Sequence, residues 1–281
     1  MLIDNKELDQ LIQGALAEDV PYGDLATEAI FQGQRGQVDL IAKQAGVICG
    51  LPIFQRVFTY LEEGARLDYQ VQEGDQIRPG QVFLTVEASV NTLLTGERVA
   101  LNFLQRLSGI ATATRIFVDA LDGSRTKLMD TRKTTPGLRR LEKYAVRVGG
   151  GYNHRYSLSD LIMLKDNHIQ AAGGILQAVQ AVRQLDPHIH KIEVEVESMD
   201  MVRQAVEAEA DIIMLDNMTP DQMEEAIAYI DGRAIIEGSG NMRADNVADY
   251  KDLGLDYISS GAITHSAGIL DLSMKNLRVI D

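Results

Sequence analysis

Four short apolar runs, near 192–196, 212–215, 234–236 and 256–259, begin every 20 to 22 residues, and this spacing limits the fold more than any other feature of the chain. A strand, a helix and two tight turns fill such a repeat completely, leaving no room for an inserted domain. Similar runs stand at 127–129 and 161–164, and helices are expected at 137–148, 170–184, 199–208, 220–230 and 244–253. The punctuation agrees. Thr219-Pro220-Asp221-Gln222 combines an N-cap threonine, a first-turn proline and a capping-box glutamine, and Gly254 suits a helix C-terminus. Successive βα units give a parallel barrel or a doubly wound sheet. The short period, and the lack of a Gly-rich dinucleotide fingerprint, favour the barrel.

The first hundred residues follow another pattern. Leu8, Leu11, Ile12, Ala15 and Leu16 share one face of a helix over 6–18, and Asp19-Val20-Pro21-Tyr22-Gly23-Asp24 reads as a turn. Strand-type alternation runs from about 37 to 90, including 37–43 and 67–72, with a helix near 52–62. That is an α+β unit. A long helix over 95–122 follows, with Leu101, Leu104, Leu107, Ala111 and Ile116 along one side and Gly109 as an expected bend. At 1.5 Å per residue it spans roughly 40 Å.

Within a chain of 27 basic and 41 acidic residues, a basic island runs from Arg132 to Lys165. It holds eight Lys/Arg (Arg132, Lys133, Arg139, Arg140, Lys143, Arg147, Arg155, Lys165) against Glu142 and Asp160 alone. The same window contains Asp130-Thr131-Arg132-Lys133-Thr134-Thr135-Pro136-Gly137, Gly149-Gly150-Gly151-Tyr152-Asn153-His154-Arg155 and Lys165-Asp166-Asn167-His168. Rigid turns, forked donors and histidines at element ends describe a pocket for a small, multiply anionic ligand. The net charge of −14 argues against a nucleic-acid partner, which needs a wide basic face. One cysteine, Cys49, excludes a disulfide framework and suits a reducing compartment. No apolar run reaches the length of a membrane span, and the opening at Met1–Lys6 lacks the features of a signal peptide, so a cytoplasmic location is expected.

In a parallel barrel the site forms at the carboxyl ends of the strands. Each expected strand delivers polar or Gly-rich residues there: Asp130-Thr131-Arg132-Lys133, then Lys165-Asp166-Asn167-His168, Asp216-Asn217, Glu237-Gly238-Ser239-Gly240-Asn241, and Ser260-Gly261-Ala262-Ile263-Thr264-His265. Glu193, Glu195 and Glu197 alternate on one face, and alternation alone does not say which reaches a ligand. The basic residues suit carboxylates and phosphates. Glu195 and Asp216 suit sugar hydroxyls or a Mg²⁺ that itself holds phosphate. The late Gly-rich loops let backbone N–H groups approach a phosphate.

These motifs resemble the quinolinate phosphoribosyltransferase family of type II phosphoribosyltransferases. The likeness extends over nearly the whole chain, through Ala15-Leu16-Ala17-Glu18-Asp19, Gly23-Asp24, the run from Glu97 to Thr112, the three signatures of the basic island, Glu193-Val194-Glu195-Val196, Leu215-Asp216-Asn217 and Gly261-Ala262-Ile263-Thr264-His265-Ser266. The resemblance implies a Mg²⁺-dependent reaction that joins quinolinate to phosphoribosyl pyrophosphate, giving nicotinate mononucleotide, pyrophosphate and CO₂. It implies that Arg132, His154 and Arg155 bind quinolinate, with Arg98 reaching in from a neighbouring subunit of a homodimer or homohexamer, and that Thr131 is a substrate-binding residue. Lys133 and Lys165 would act beside the phosphates and the reacting ring. Glu195 and Asp216 would take the ribose hydroxyls and the metal, directly or through water or pyrophosphate. Ser239, Gly240, Asn241, Ser260, Gly261 and Ala262 would cradle the 5′-phosphate. The implied domains are an N-terminal α/β sandwich over 1–108, rejoined by the tail 267–281, and an incomplete (open) parallel α/β barrel over 109–266. Gly238, Met242 and Ser260 depart from the family's usual residues.

Other features carry ordinary readings. Arg139, Arg140, Lys143 and Arg147 lie at helical spacing and are read as a solvated face or subunit contact. His188 and His190 are read as surface residues, Met163 and Met214 as core filler, and Cys49 as packed. A structural salt-bridge network around the island is disfavoured, because few acids lie nearby in sequence. Two functional rivals remain: a phosphoribosyltransferase for a monocarboxylate such as nicotinate, and a non-catalytic ligand-binding relative of the kind associated with molybdenum transport. The intact Lys165-Asp166-Asn167-His168, with Glu195 and Asp216, argues against the second.

Overall fold

A computed structural model describes residues 5–185, 188 and 190–280. Met1–Asp4, read above for a leader, and Asp281, the last residue of the expected tail, lie outside the described residues. The elements run in the order α1 (Asn5–Asp19), α2 (Leu25–Ile30), β1 (Arg35–Ala42), β2 (Gly46–Val47), α3 (Leu51–Leu61), β3 (Arg66–Tyr69), β4 (Gln76–Ile77), β5 (Val82–Ser89) and α4 (Val90–Ala120). Then come β6 (Lys127–Met129), α5 (Arg139–Val148), β7 (Ile162–Leu164), α6 (Asp166–Ala172), α7 (Ile175–Leu185), β8 (Ile192–Val196), α8 (Met199–Glu207), β9 (Ile212–Asp216), α9 (Pro220–Ile230), β10 (Ile235–Ser239), β11 (Tyr257–Ser259), α10 (Ala262–His265) and β12 (Leu272–Ile280).

The chain divides into two compact units. The first comprises Met1–Arg115, Arg140–Gly150 and Ala267–Asp281; the second comprises Ile116–Arg139 and Gly151–Ser266. Sequence places 140–150 within the barrel segment, whereas its contacts group it with the first unit. The reason is visible in α5. Leu141, Glu142, Lys143, Ala145 and Val146 are all buried, Arg106 on α4 donates to Glu142 Oε1 at 2.8 Å, and Tyr144 donates to Glu73 Oε1 at 2.8 Å. Reading Lys143 as part of a solvated face is therefore corrected: its side chain is fully buried. Arg140 and Arg147 are exposed as expected.

In the first unit an antiparallel sheet has the order β12-β1-β5-β3. Alternate residues of β1 are buried, so one face of the sheet is apolar, and α3 buries Ile53, Phe54, Val57 and Phe58. The C-terminal β12 pairs along the whole of β1, from Arg35 opposite Ile280 to Ala42 opposite Leu272. Helix α4 is continuous through Gly109, and the glycine serves a close approach instead of a bend. A Cβ there would lie 1.9 Å from the Gly268 carbonyl oxygen.

The second unit is a six-stranded parallel sheet of order β6-β11-β10-β9-β8-β7. The first two strands in sequence thus lie at opposite edges, the arrangement of an α/β barrel that stays incomplete. Tyr152 bridges to Met129 in parallel fashion outside β6, exchanging backbone bonds with Leu128 and Asp130. The helix expected over 170–184 is two helices, α6 and α7, because Gly173 and Gly174 adopt φ of 88° and 143°. The segment 244–253 holds only a 3₁₀ turn, Val247–Tyr250. Among the described residues no helix is long and apolar enough to cross a membrane.

Gly109→Ala should destabilise the protein by about 3 kcal/mol, since backbone must shift to admit the methyl group. Gly14→Ala, in α1 with open space around it, should instead stabilise by about 0.5–1 kcal/mol. Denaturant midpoints of the two variants check both signs.

Candidate active site

A cavity of about 450 Å³ opens in the second unit, lined by Thr131, Arg132, Lys133, His154, Arg155, Met163, Lys165, Glu195, Met214, Asp216, Ser239 and Ser259. These residues come from the carboxyl ends of all six parallel strands and the Tyr152 segment, where a barrel places its chemistry. Nine of the residues singled out in sequence meet there.

The cations converge from separate loops. Burial, and then the charge of Arg132, lowers the pKa of Arg155, so these two guanidinium groups share one neighbourhood. Arg155 is aimed by Nη1 donating to the Leu161 carbonyl at 2.8 Å and by Nη2 lying 3.5 Å from Met163 Sδ. Met163 and Met214 are buried, as core residues should be, yet both also wall the cavity. Arg132 keeps a buried Nε without a hydrogen-bond partner. Arg139, read as solvated, instead braces the loop after β6: it donates to Thr134 Oγ1 at 3.0 Å and to the Tyr156 carbonyl at 2.9 Å. Thr264, on α10 just after β11, ties the same loop down by donating to the Lys133 carbonyl at 2.9 Å.

Acids answer these cations, although few lie near them in sequence. The Glu195 carboxylate accepts from Lys165 Nζ. The three alternating glutamates separate by depth: Glu193 is fully buried in the floor, Glu195 is partly exposed at the cavity wall, and Glu197 lies exposed beyond the strand. Asp216, at the end of β9, has its pKa raised, first by burial and then by the charge of Glu195. Oxygen donors from adjacent strands, repelling one another, fit a hard divalent cation such as Mg²⁺.

His154 sits between the loop and the floor. Its Nε2 lies 3.2 Å from Glu193 Oε2 and 3.5 Å from Glu237 Oε2. Its Nδ1 accepts from the Arg155 backbone N–H at 2.8 Å. Burial opposes a charged ring, but the two carboxylates outweigh it and raise the pKa to about 10. The proton on Nε2 is the one that faces the two carboxylates and that they favour. These three residues could by spacing hold a metal ion, but an Nε2 bearing a proton has no lone pair to offer.

The phosphate-loop residues divide. Ser239 lines the cavity, whereas Gly240, Asn241, Ser260, Gly261 and Ala262 are not among its lining residues. Gly240, with φ of 92°, passes so close to Asn217 that a Cβ would lie 2.5 Å from its backbone nitrogen. Ser260 is buried and occupied: its Oγ donates to the Met242 carbonyl at 2.8 Å and accepts from Ala262 N at 3.2 Å. Its neighbour Ser259, missed in the sequence, presents a buried hydroxyl without a hydrogen-bond partner to the cavity. Strand alternation separates the two serines, but only knowledge of the inward face says which is which. Arg98 is exposed on α4 in the first unit and is not among the lining residues.

Models for quinolinate phosphoribosyl transferase match the chain in two parts, the N-terminal domain over 24–108 and the C-terminal domain over 110–275. The chain belongs to the quinolinate phosphoribosyl transferase family. It is 44% identical to a Bacillus subtilis (strain 168) protein named as a probable nicotinate-nucleotide pyrophosphorylase (carboxylating), over 95% of this chain and 93% of the relative. A Synechocystis sp. relative of the same name is 45% identical, over 96% of this chain and 93% of its own. The crystal structure of NadC from Streptococcus pyogenes is similar over 100% of both chains, with a TM-score of 0.97 and 49% identity.

Asp216→Asn should stabilise the protein at neutral pH. A raised pKa means the fold favours the neutral carboxyl, so this group's contribution is present in acid and lost as pH rises through its folded pKa. Asparagine mimics the neutral form. After allowance for solvent screening the melting temperature should rise by about 1–2 °C at pH 7. The gain should vanish below the ordinary carboxylate range, which thermal scans at the two pH values resolve.

Proposed function

We propose that the protein transfers the phosphoribosyl group of phosphoribosyl pyrophosphate to quinolinate with loss of CO₂, yielding nicotinate mononucleotide and pyrophosphate, as a cytoplasmic step of NAD biosynthesis. One observation carries this reading: Arg132, Lys133, Arg155 and Lys165 meet Glu195 and Asp216 in a single cavity, so a dianionic ring and an activated sugar have complementary walls in one place. The family membership supports it.

The chemistry suits the residues. As pyrophosphate leaves, the glycosyl carbon gains positive charge; as CO₂ leaves, its bonding electron pair remains on the ring carbon, which then takes a proton. Arg132 and Arg155 bind the ring carboxylates, with His154 and Thr131 completing that wall. Lys133 and Lys165 stabilise the leaving phosphates and the ring anion. Glu195 and Asp216 take the ribose hydroxyls and would hold Mg²⁺, which when bound would neutralise charge on the pyrophosphate. Ser239, Gly240 and Asn241, with the loop of Ser260, Gly261 and Ala262, border the 5′-phosphate end. No strong general base is required for transfer to a ring nitrogen that already carries a lone pair.

Arg98 belongs to this reading as a residue lent by a partner copy in a homodimer or homohexamer. An exposed arginine within the family's run from Glu97 to Thr112 is free to serve a neighbour.

Purified protein given both substrates and Mg²⁺ should release CO₂ and pyrophosphate in equal amounts, and nicotinate in place of quinolinate should give no CO₂. Pyrophosphate formed from nicotinate as readily as from quinolinate would favour the monocarboxylate reading. Arg98→Ala should raise KM for quinolinate about tenfold or more, with KM for phosphoribosyl pyrophosphate nearly unchanged. Equal loss of both would count against a shared site. Lys133→Ala and Lys165→Ala should chiefly lower kcat, each by about 10²-fold.

A further inference from the structure

Three carboxylates lie buried around the cavity, and the proposed chemistry uses none of them. Asp130 and Glu193 have no exposed surface and Glu237 is 1% exposed. Burying acids in a barrel is costly, so their retention calls for something they hold. All three converge on one two-residue segment. Asp130, just past β6, accepts the His154 backbone N–H at 2.9 Å through Oδ1 and the Asn153 side-chain amide at 2.6 Å through Oδ2. From the floor, Glu193 on β8 and Glu237 on β10 face Nε2 of the His154 ring. The far side of that ring, Nδ1, receives the Arg155 N–H, so the orientation of the imidazole sets the peptide plane from which Arg155 departs. The segment is thus gripped at its backbone by one acid and at its ring by two. Glu237 Oε1 and both Glu193 oxygens are buried without a hydrogen bond of good geometry, so these two acids meet the ring as close contacts at 3.2 and 3.5 Å and not as bonds that fold the sheet.

We propose that Asp130, Glu193 and Glu237 are positioning residues that set His154 and Arg155 against the quinolinate carboxylates. This inference rests on the function proposed above. Its force is that Arg155 must hold its place beside another guanidinium, Arg132, when no substrate anion is present to reconcile the two. The acids beneath the segment hold its backbone and its ring in advance, and the substrate finds the clamp already formed.

The test uses the intact enzyme carrying Glu237→Gln or Asp130→Asn, with KM for each substrate, kcat and melting temperature measured side by side. Each variant should raise KM for quinolinate about tenfold, leave KM for phosphoribosyl pyrophosphate within about twofold, and melt within a few degrees of wild type. A purely structural role predicts the reverse, a lowered melting temperature with unchanged KM for the enzyme that remains folded. That pattern, or a parallel rise in both KM values, overturns the proposal. Should Glu237→Gln fail to fold, Asp130→Asn alone decides. If the wild-type protein releases no CO₂, the functional reading is what has failed; calorimetric titration of wild type and variants with quinolinate then decides the positioning role separately.

Discussion

The interaction on which the site depends is the balance between converging cations and the acids behind them. Arg132 and Arg155 share one half-buried neighbourhood, close enough for the charge of one to depress the pKa of the other. Such a pair stays assembled only if opposite charge lies within reach. The barrel supplies it from the strand interiors: Glu195 to Lys165, and Glu193 with Glu237 to His154. A positive mouth over a negative floor can bind a multiply charged anion without the loops flying apart in its absence.

Backbone geometry makes that balance local. Parallel strands present their carboxyl ends to a common rim, so residues distant in sequence meet within one cavity. The loops then brace one another. Arg139 links the turn after β6 to Tyr156, Thr264 links it to α10, and Asp130 reaches the next segment, 153–154. Gly240 has no Cβ because Asn217 occupies that space. Each brace is ordinary alone. Their joint effect is that the site's flexible cations leave from fixed starting points, and a clamp of long side chains becomes specific only under that condition.

Much of this was legible beforehand. Hydrophobic periodicity placed β6, β8 and α9 within a residue or so, because an amphipathic element carries its period in local sequence. The candidate-site residues were legible for a different reason: strand ends in a barrel are where polar residues must be, so Arg132, Lys165 and Asp216 stood out by position, whereas only the family resemblance separated Glu195 from Glu193 and Glu197. Other features were closed to inspection. Gly109 reads as a bend, yet its cause is the carbonyl of Gly268, far along the chain. Lys143 reads as solvated, yet α5 buries it. Ser260 and Ser259 exchange roles because inward and outward are defined only once the sheet curls.

What the sequence alone determined was most of the strands and helices, the succession of βα units, and the chemistry available at the rim. These depend on near neighbours, and local periodicity records them. Tertiary structure decided which charges neutralise which, which glycine is there for space, and which of two adjacent serines faces the cavity. Those properties are distances between residues tens of positions apart, and a linear order of side chains carries no distance until the chain has closed upon itself.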